Sequence, residues 1–149
     1  MQLSRETSTR VLVIEDNPVD VHLMRLAFEN EIEWRTVMTV AEDGEKAIDL
    51  LAEALAAHAA PDFVVLDLNL PKRDGTEVLQ WMRSTDGLED LPVAIVSSSP
   101  MEFIRNKVSG ASVEANCYFV KPMDVDDFLG LAKKLHFCYR KSRSMAVSG

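Results

Sequence analysis

Five short apolar runs recur along the chain, each separated from the next by a stretch of helical periodicity, and this alternation is the strongest constraint on the fold. The runs are Val11-Leu12-Val13-Ile14, the more broken Trp34 to Val40, Phe63 to Leu66, Val93-Ala94-Ile95-Val96 and Cys117-Tyr118-Phe119-Val120. Consecutive β-branched and large apolar residues without polar alternation suit strands covered on both faces, as in a parallel sheet. Strands alternating with helices need crossovers, so the expected fold is α/β, a five-stranded parallel sheet wrapped on both sides. Trp34 to Val40 is interrupted by Arg35, Thr36 and Thr39 and reads as an edge strand.

The connecting stretches carry helix signals. Asn17 and Pro18 fit the N-cap and first turn of a helix that pairs Leu23 with Ala27 and Met24 with Phe28. Ala41 to Glu45 turns into a second helix with Ala47, Ile48, Leu51 and Leu55 inward, and its alanines run to Ala60 before Pro61 closes the unit. Thr76 to Thr85 reads as a third helix ended by Gly87, with Val78, Leu79 and Met82 inward. Phe103, Ile104, Val108 and Ala111 make a short, weakly patterned fourth. Asp124 is the expected N-cap of a last helix with Phe128, Ala132, Leu135 and Tyr139 on one face. The expected division is a flexible N-terminus over residues 1–9, one domain over 10–140 and a basic, polar tail over 141–149, with the serines at 142 and 144 favouring fraying.

With 149 residues, the chain matches one domain and leaves no room for a separate output domain. The net charge of −8 is unevenly spread, because all 24 acidic groups lie at or before Asp127 and five basic residues follow it. An acidic body argues against nucleic acid as a partner, since phosphate binding needs a basic face. No apolar run approaches the roughly 20 residues of a membrane span, so a cytoplasmic protein without membrane association is expected. Cys117 and Cys138 form no CxxC pair and have no histidine cluster beside them, so two reduced thiols are expected. His22 reads as a surface residue and His58 as a polar group near a helix end.

Chemistry concentrates at the ends of four runs, which stop at Glu15-Asp16, Asp67, Ser97 and Lys121. In doubly wound sheets, sites form at the carboxyl ends of strands, near the point where strand order reverses. Carboxylates gathered there repel by about 4 kcal/mol per pair at 4 Å with an effective dielectric near 20, so the site calls for a cation. A hard divalent ion with oxygen ligands fits, and Mg²⁺ is the expected cofactor. Asp67 is then the candidate nucleophile and phosphoacceptor, with the Lys121 ammonium and the Ser97 hydroxyl holding phosphoryl oxygens.

Glu15-Asp16 in VLVIEDN, Asp67 in VVLDLNLPKRDG, Ser97 in AIVSSS and Tyr118 with Lys121-Pro122 in CYFVKP resemble, in order and spacing, the receiver domain of two-component response regulators. The match spans about Arg10 to Leu135. The resemblance implies a CheY-like, flavodoxin-like (βα)5 sheet in strand order 2-1-3-4-5. It also implies transfer from a phosphohistidine to Asp67, Mg²⁺ held by Glu15, Asp16, Asp67 and the Asn69 carbonyl, and a switch through Ser97 and Tyr118. The partner implied is a sensor histidine kinase or phosphotransfer protein, and the chain's only catalysis would be its own phosphorylation and autodephosphorylation. EDNP with LDLNLPKRDG is especially similar to stand-alone regulators that partner bacterial and cyanobacterial phytochrome kinases. Pro71, Lys72 and Arg73, with Asp74, are the expected kinase contact. Two positions depart from the family: Ser97 stands for the commoner threonine and lacks its β-branch, and Ser98 stands where a small alanine is usual.

Three other readings stay open. An aspartate-nucleophile phosphatase would need an acid two residues beyond Asp67, where this chain has Asn69. A scaffold that keeps the receiver form without phosphorylation would not need its acceptor residues. A flavodoxin-like cofactor binder shares the fold, but its cofactor phosphate would meet Glu-Asp-Asn-Pro in the first turn. Phe137 and Tyr139, apolar residues among basic ones beyond what the core needs, suggest a homodimer through the face of the fourth helix, fifth strand, fifth helix and tail.

Overall fold

The computed structural model describes residues 8–148. Five strands, β1 (Thr9–Ile14), β2 (Thr36–Ala41), β3 (Phe63–Leu66), β4 (Val93–Ser97) and β5 (Cys117–Val120), form one parallel sheet in the order β2-β1-β3-β4-β5. The helices are α1 (Pro18–Asn30), α2 (Gly44–Ala56), α3 (Gly75–Arg83), α4 (Met101–Gly110), α5 (Val125–Leu129) and α6 (Leu131–Ser148). Strand order reverses between β1 and β3, so the polar residues that follow these two strands share the crevice favoured for ligands.

The apolar runs divide by a period of two. Val11, Val13, Phe63, Val65, Ala94 and Val96 face one core with Met24, Phe28, Leu131 and Leu135. Leu12, Ile14, Val64, Leu66, Val93 and Ile95 face the other with Leu51, Leu79, Met82 and Ile104. Each central strand therefore fills two cores at once, which is why its sequence shows no polar alternation.

Helix starts follow their caps. The Asn17 side chain accepts from the backbone N–H groups of Val19 and Asp20, Asp43 caps α2 through Lys46 N–H, and Asp124 caps α5 through Asp126 N–H. Asp74 and Glu77 form a reciprocal capping box on α3. The second helix stops at Ala56, before the alanines end, and His58 beyond it takes a left-handed φ of 55°.

Several expectations change. The expected N-terminal segment lies outside the described residues except at its end, where Thr9 already belongs to β1. The last helix is divided at Gly130, whose N–H bonds back to Asp126 and Asp127, and α6 continues through the expected polar tail to Ser148. Trp34 is not a strand residue: it precedes β2 and is buried among Phe28, Phe63, His136 and Tyr139, its indole N–H bonded to the Thr9 hydroxyl at 2.9 Å. Tyr139 is likewise core, tilted against Phe63, so of the two apolar residues assigned to self-association only Phe137 is exposed.

The two cysteines are not free thiols. Cys117 on β5 and Cys138 on α6 are joined in a disulfide, their Cα atoms 6.3 Å apart. The reason is tertiary: α6 lies against the β5 end of the sheet, within the distance a disulfide spans, and nothing in the separation of 21 residues signals it.

Candidate functional site

Four strand ends bring together the residues named from the sequence. Glu15 leaves the end of β1, buried, and its Oε2 accepts the backbone N–H of Asn17 at 3.1 Å. Asp67 leaves β3 with 6% exposure; its backbone N–H bonds to the Ile14 carbonyl, and its Oδ1 accepts the N–H of Asn69 at 3.1 Å. Ser97 ends β4 fully buried, and its carbonyl accepts the N–H of Lys121 at 2.8 Å, which aligns the end of β5 beside it. Oxygens of Glu15, Asp16 and Asp67 all lie within 4.8 Å of one another, with Asp16 the exposed member. Hard oxygen donors at this spacing suit a hard divalent cation.

Lys121 crosses the crevice. Its Nζ lies 2.7 Å from Glu15 Oε1, 2.7 Å from Asp20 Oδ2 and 3.0 Å from Asp67 Oδ2, so each of its three N–H groups has a carboxylate to meet. Burial works against the ammonium, but the hydrogen bonds to Asp20 and Glu15 and the charge of Asp67 outweigh it and push the Lys121 pKa up. Burial also pushes the Glu15 carboxyl up to about 7, helped by the Asp67 charge and opposed by the bond from Lys121.

Asp20 was not among the residues picked out from the sequence. Its place in the first turn of α1, just past the cap at Asn17 and four residues along the chain from Asp16, was the available signal. The Asn69 side chain was also missed: its amide nitrogen reaches Ser97 Oγ at 3.5 Å and Ser99 Oγ at 3.4 Å, linking the loop after β3 to the loop after β4.

Gly75 lets that first loop close. A Cβ there would stand 2.5 Å from the Asp67 carbonyl oxygen and 2.6 Å from Leu68 Cα, and the Gly75 N–H donates to the Leu68 carbonyl at 2.9 Å. Pro71, Lys72 and Arg73 are exposed, with Lys72 at φ 68°, and their backbone lies over Gly44 at the start of α2. Asp74 is not a free surface acid: it caps α3 and accepts from Lys107 at 2.9 Å. Tyr118 is half-buried, its hydroxyl accepting the Ala115 N–H at 3.0 Å and its ring covered by the Arg105 guanidinium, 5.1 Å from the centroid. Among the described residues no helix is long and apolar enough to cross a membrane.

Comparison with known proteins agrees with this geometry. The response regulator receiver domain pattern matches residues 11–133. The DNA-binding dual master transcriptional regulator RpaA of Synechocystis sp. is 32% identical over 127 residues, which are 85% of this chain and 48% of that protein. The polar-differentiation response regulator DivK of Brucella anthropi is 30% identical over 123 residues, 83% of this chain and 92% of that one. The chain thus spans about half the length of some relatives and most of others. Among solved structures, the phosphorylated cyanobacterial phytochrome response regulator RcpA superposes with a TM-score of 0.74 at 30% identity, covering 86% of this chain and 91% of that one. The bacteriophytochrome response regulator AtBRR gives 0.66 at 34% identity, with 87% and 93% covered. A match over most of the chain, on the strand ends that carry the carboxylates, the serine and the lysine, settles the assignment: the chain belongs to the response regulator receiver domain family.

Proposed function

We propose that Asp67 accepts a phosphoryl group from the phosphohistidine of a sensor histidine kinase or phosphotransfer protein, and that the chain signals through the resulting change in its interaction surface. The observation that carries this reading is the Asp67 carboxylate, buried at the end of β3, with one oxygen on Lys121 Nζ and the other on the Asn69 N–H. An Asp67 oxygen attacks phosphorus, the bond from phosphorus to the imidazole nitrogen breaks, and that nitrogen keeps the electron pair and takes up a proton. Lys121 and Ser97 bind oxygens of the transferred group. Glu15, Asp16 and Asp67, with the Asn69 carbonyl, would hold Mg²⁺, whose charge offsets that of the phosphoryl group. Tyr118, on β5 three residues before Lys121, is the residue we assign to relaying the change.

The likeness to RcpA and AtBRR, both named as phytochrome response regulators, supports a phytochrome kinase as donor, and a kinase donor goes with a cytoplasmic location. Exposed Pro71, Lys72 and Arg73 at the rim are available for that contact. Phe103 on α4, Val120 on β5 and Phe137 on α6, all exposed, support pairing of two copies through this face. Sedimentation of Phe137→Glu tests the pairing, which an unchanged mass against wild type excludes.

Incubation with radiolabelled phosphorylated kinase, or with acetyl phosphate and Mg²⁺, tests the central reading. Wild type is expected to become labelled and Asp67→Asn not; equal labelling of the two removes Asp67 as acceptor. Turnover of small phosphate esters would point instead to the phosphatase reading. A wild type that binds neither metal nor beryllofluoride would point to the scaffold.

A further inference from the structure

Lys121 is held by three carboxylates, and one of them has no place in the acidic cluster. Glu15 and Asp67 share that cluster with Asp16, whereas Asp20 stands outside it, on the first turn of α1. The Asp20 carboxylate nevertheless makes one of the two shortest contacts to the ammonium, 2.7 Å, across 101 residues of sequence.

Its freedom to do so has a local cause. An acid at the third position of a helix commonly folds back to accept the N–H of the N-cap residue. Here the Asn17 N–H is already taken by Glu15 Oε2 at 3.1 Å. The Asp20 backbone N–H is tied to Asn17 Oδ1 at 3.3 Å, which fixes where its side chain starts, and the carboxylate is left to reach over to Lys121.

We propose that Asp20 is a positioning residue for Lys121, keeping the ammonium directed at the phosphoryl group once Glu15 and Asp67 are engaged elsewhere. The inference rests on Asp67 being the phosphoacceptor. A cation in the acidic cluster draws on Glu15 and Asp67, and phosphorylation replaces the free Asp67 oxygen, so two of the three contacts on Lys121 weaken together. Asp20 is the partner that neither event consumes. A lysine stem has four rotatable carbons, and without that anchor its charge spreads over several rotamers instead of one.

The test uses the full chain in three forms: wild type, Asp20→Asn and Asp20→Glu. Asparagine keeps the shape and removes the charge; glutamate keeps the charge. Two quantities are read with Mg²⁺ present, the rate of labelling by acetyl phosphate and the midpoint for beryllofluoride followed by tryptophan fluorescence. A third, read without metal, is the exchange of the Lys121 ammonium protons by ¹⁵N nuclear magnetic resonance. Asp20→Asn is expected to slow labelling roughly tenfold, raise the beryllofluoride midpoint by a similar factor and speed ammonium exchange, and Asp20→Glu to recover most of each. Rates and midpoints equal to wild type in Asp20→Asn, or an Asp20→Glu no better than Asp20→Asn, overturn the inference. A wild type that takes no label overturns instead the reading of Asp67, which keeps the two failures apart.

Discussion

Lys107 on α4 donates to Asp74 Oδ1 at 2.9 Å, and Asp74 is the N-cap of α3, so a helix on the far side of the site is tied to the end of the loop that starts at Asp67. The other Asp74 oxygen accepts from the Thr76 N–H and, at 2.6 Å, from its hydroxyl. Burial opposes ionisation of Asp74, but the bonds from Thr76 and Lys107 hold it below its usual range.

Asp74→Ala removes both the cap and the ion pair and should cost roughly 1–2 kcal/mol. Lys107→Ala, which removes only a partly exposed pair, should cost under about 1 kcal/mol. Urea denaturation of the two single variants and the double variant checks this. A double variant equal to the sum of the singles would show that the pair contributes nothing.

Glu15 should make stability fall with pH. Its pKa rises from 4.5 in the reference state to about 7 in the fold, mainly through burial. The folded state keeps a proton that the unfolded chain has released, so the stabilisation is complete below about 4.5 and is lost as pH rises through about 7. The difference corresponds to about 3 kcal/mol. Denaturation in chelator at about pH 5 and about pH 8 should show this loss in wild type and not in Glu15→Gln, and parallel behaviour of the two proteins would contradict it. Mg²⁺ should restore stability more at the higher pH, where it has no proton to displace.

Reduction of Cys117–Cys138 should destabilise the fold without abolishing it. Closing a loop of 21 residues in the unfolded chain contributes roughly 3 kcal/mol. Thermal melts with and without dithiothreitol should differ for wild type and coincide for Cys117→Ala/Cys138→Ala. Intact mass under non-reducing conditions should read two hydrogens below the dithiol, and a mass at the dithiol value would refute the bond.

Gly75→Ala should damage the site as well as the fold. The new Cβ would press on the Asp67 carbonyl and Leu68 Cα, backbone atoms that cannot rotate away. A cost of about 1–3 kcal/mol is expected, with Asp67 labelling slowed roughly tenfold as the loop shifts. Labelling at the wild-type rate would show that the loop tolerates the shift.

The parts of this protein that depend on local pattern were legible in the sequence. Apolar runs without alternation marked strands buried on both faces, and the alternation of Val11 and Val13 with Leu12 and Ile14 into two cores is the reason. Asn17 and Asp124 announced helix starts, because a cap acts within three residues of itself. The polar residues at four strand ends, taken with the parallel sheet, placed Glu15, Asp16, Asp67, Ser97 and Lys121 along one edge.

Contacts between layers were decided by the tertiary structure alone. Trp34 has the composition of a strand residue, yet the space between α1, β3 and α6 claims its ring. Tyr139 was assigned to self-association and Cys138 to a free thiol, but α6 packs Tyr139 against Phe63 and Trp34 and brings Cys138 to Cys117. Asp20 joins the site only because the residue after β5, Lys121, is brought within 2.7 Å of the start of α1. Periodicity and capping report which face of an element is apolar and where it begins. Which side chain of another element stands opposite depends on the register and angle at which whole layers pack, and that is set by the sum of many burial and packing terms rather than by any local run of residues.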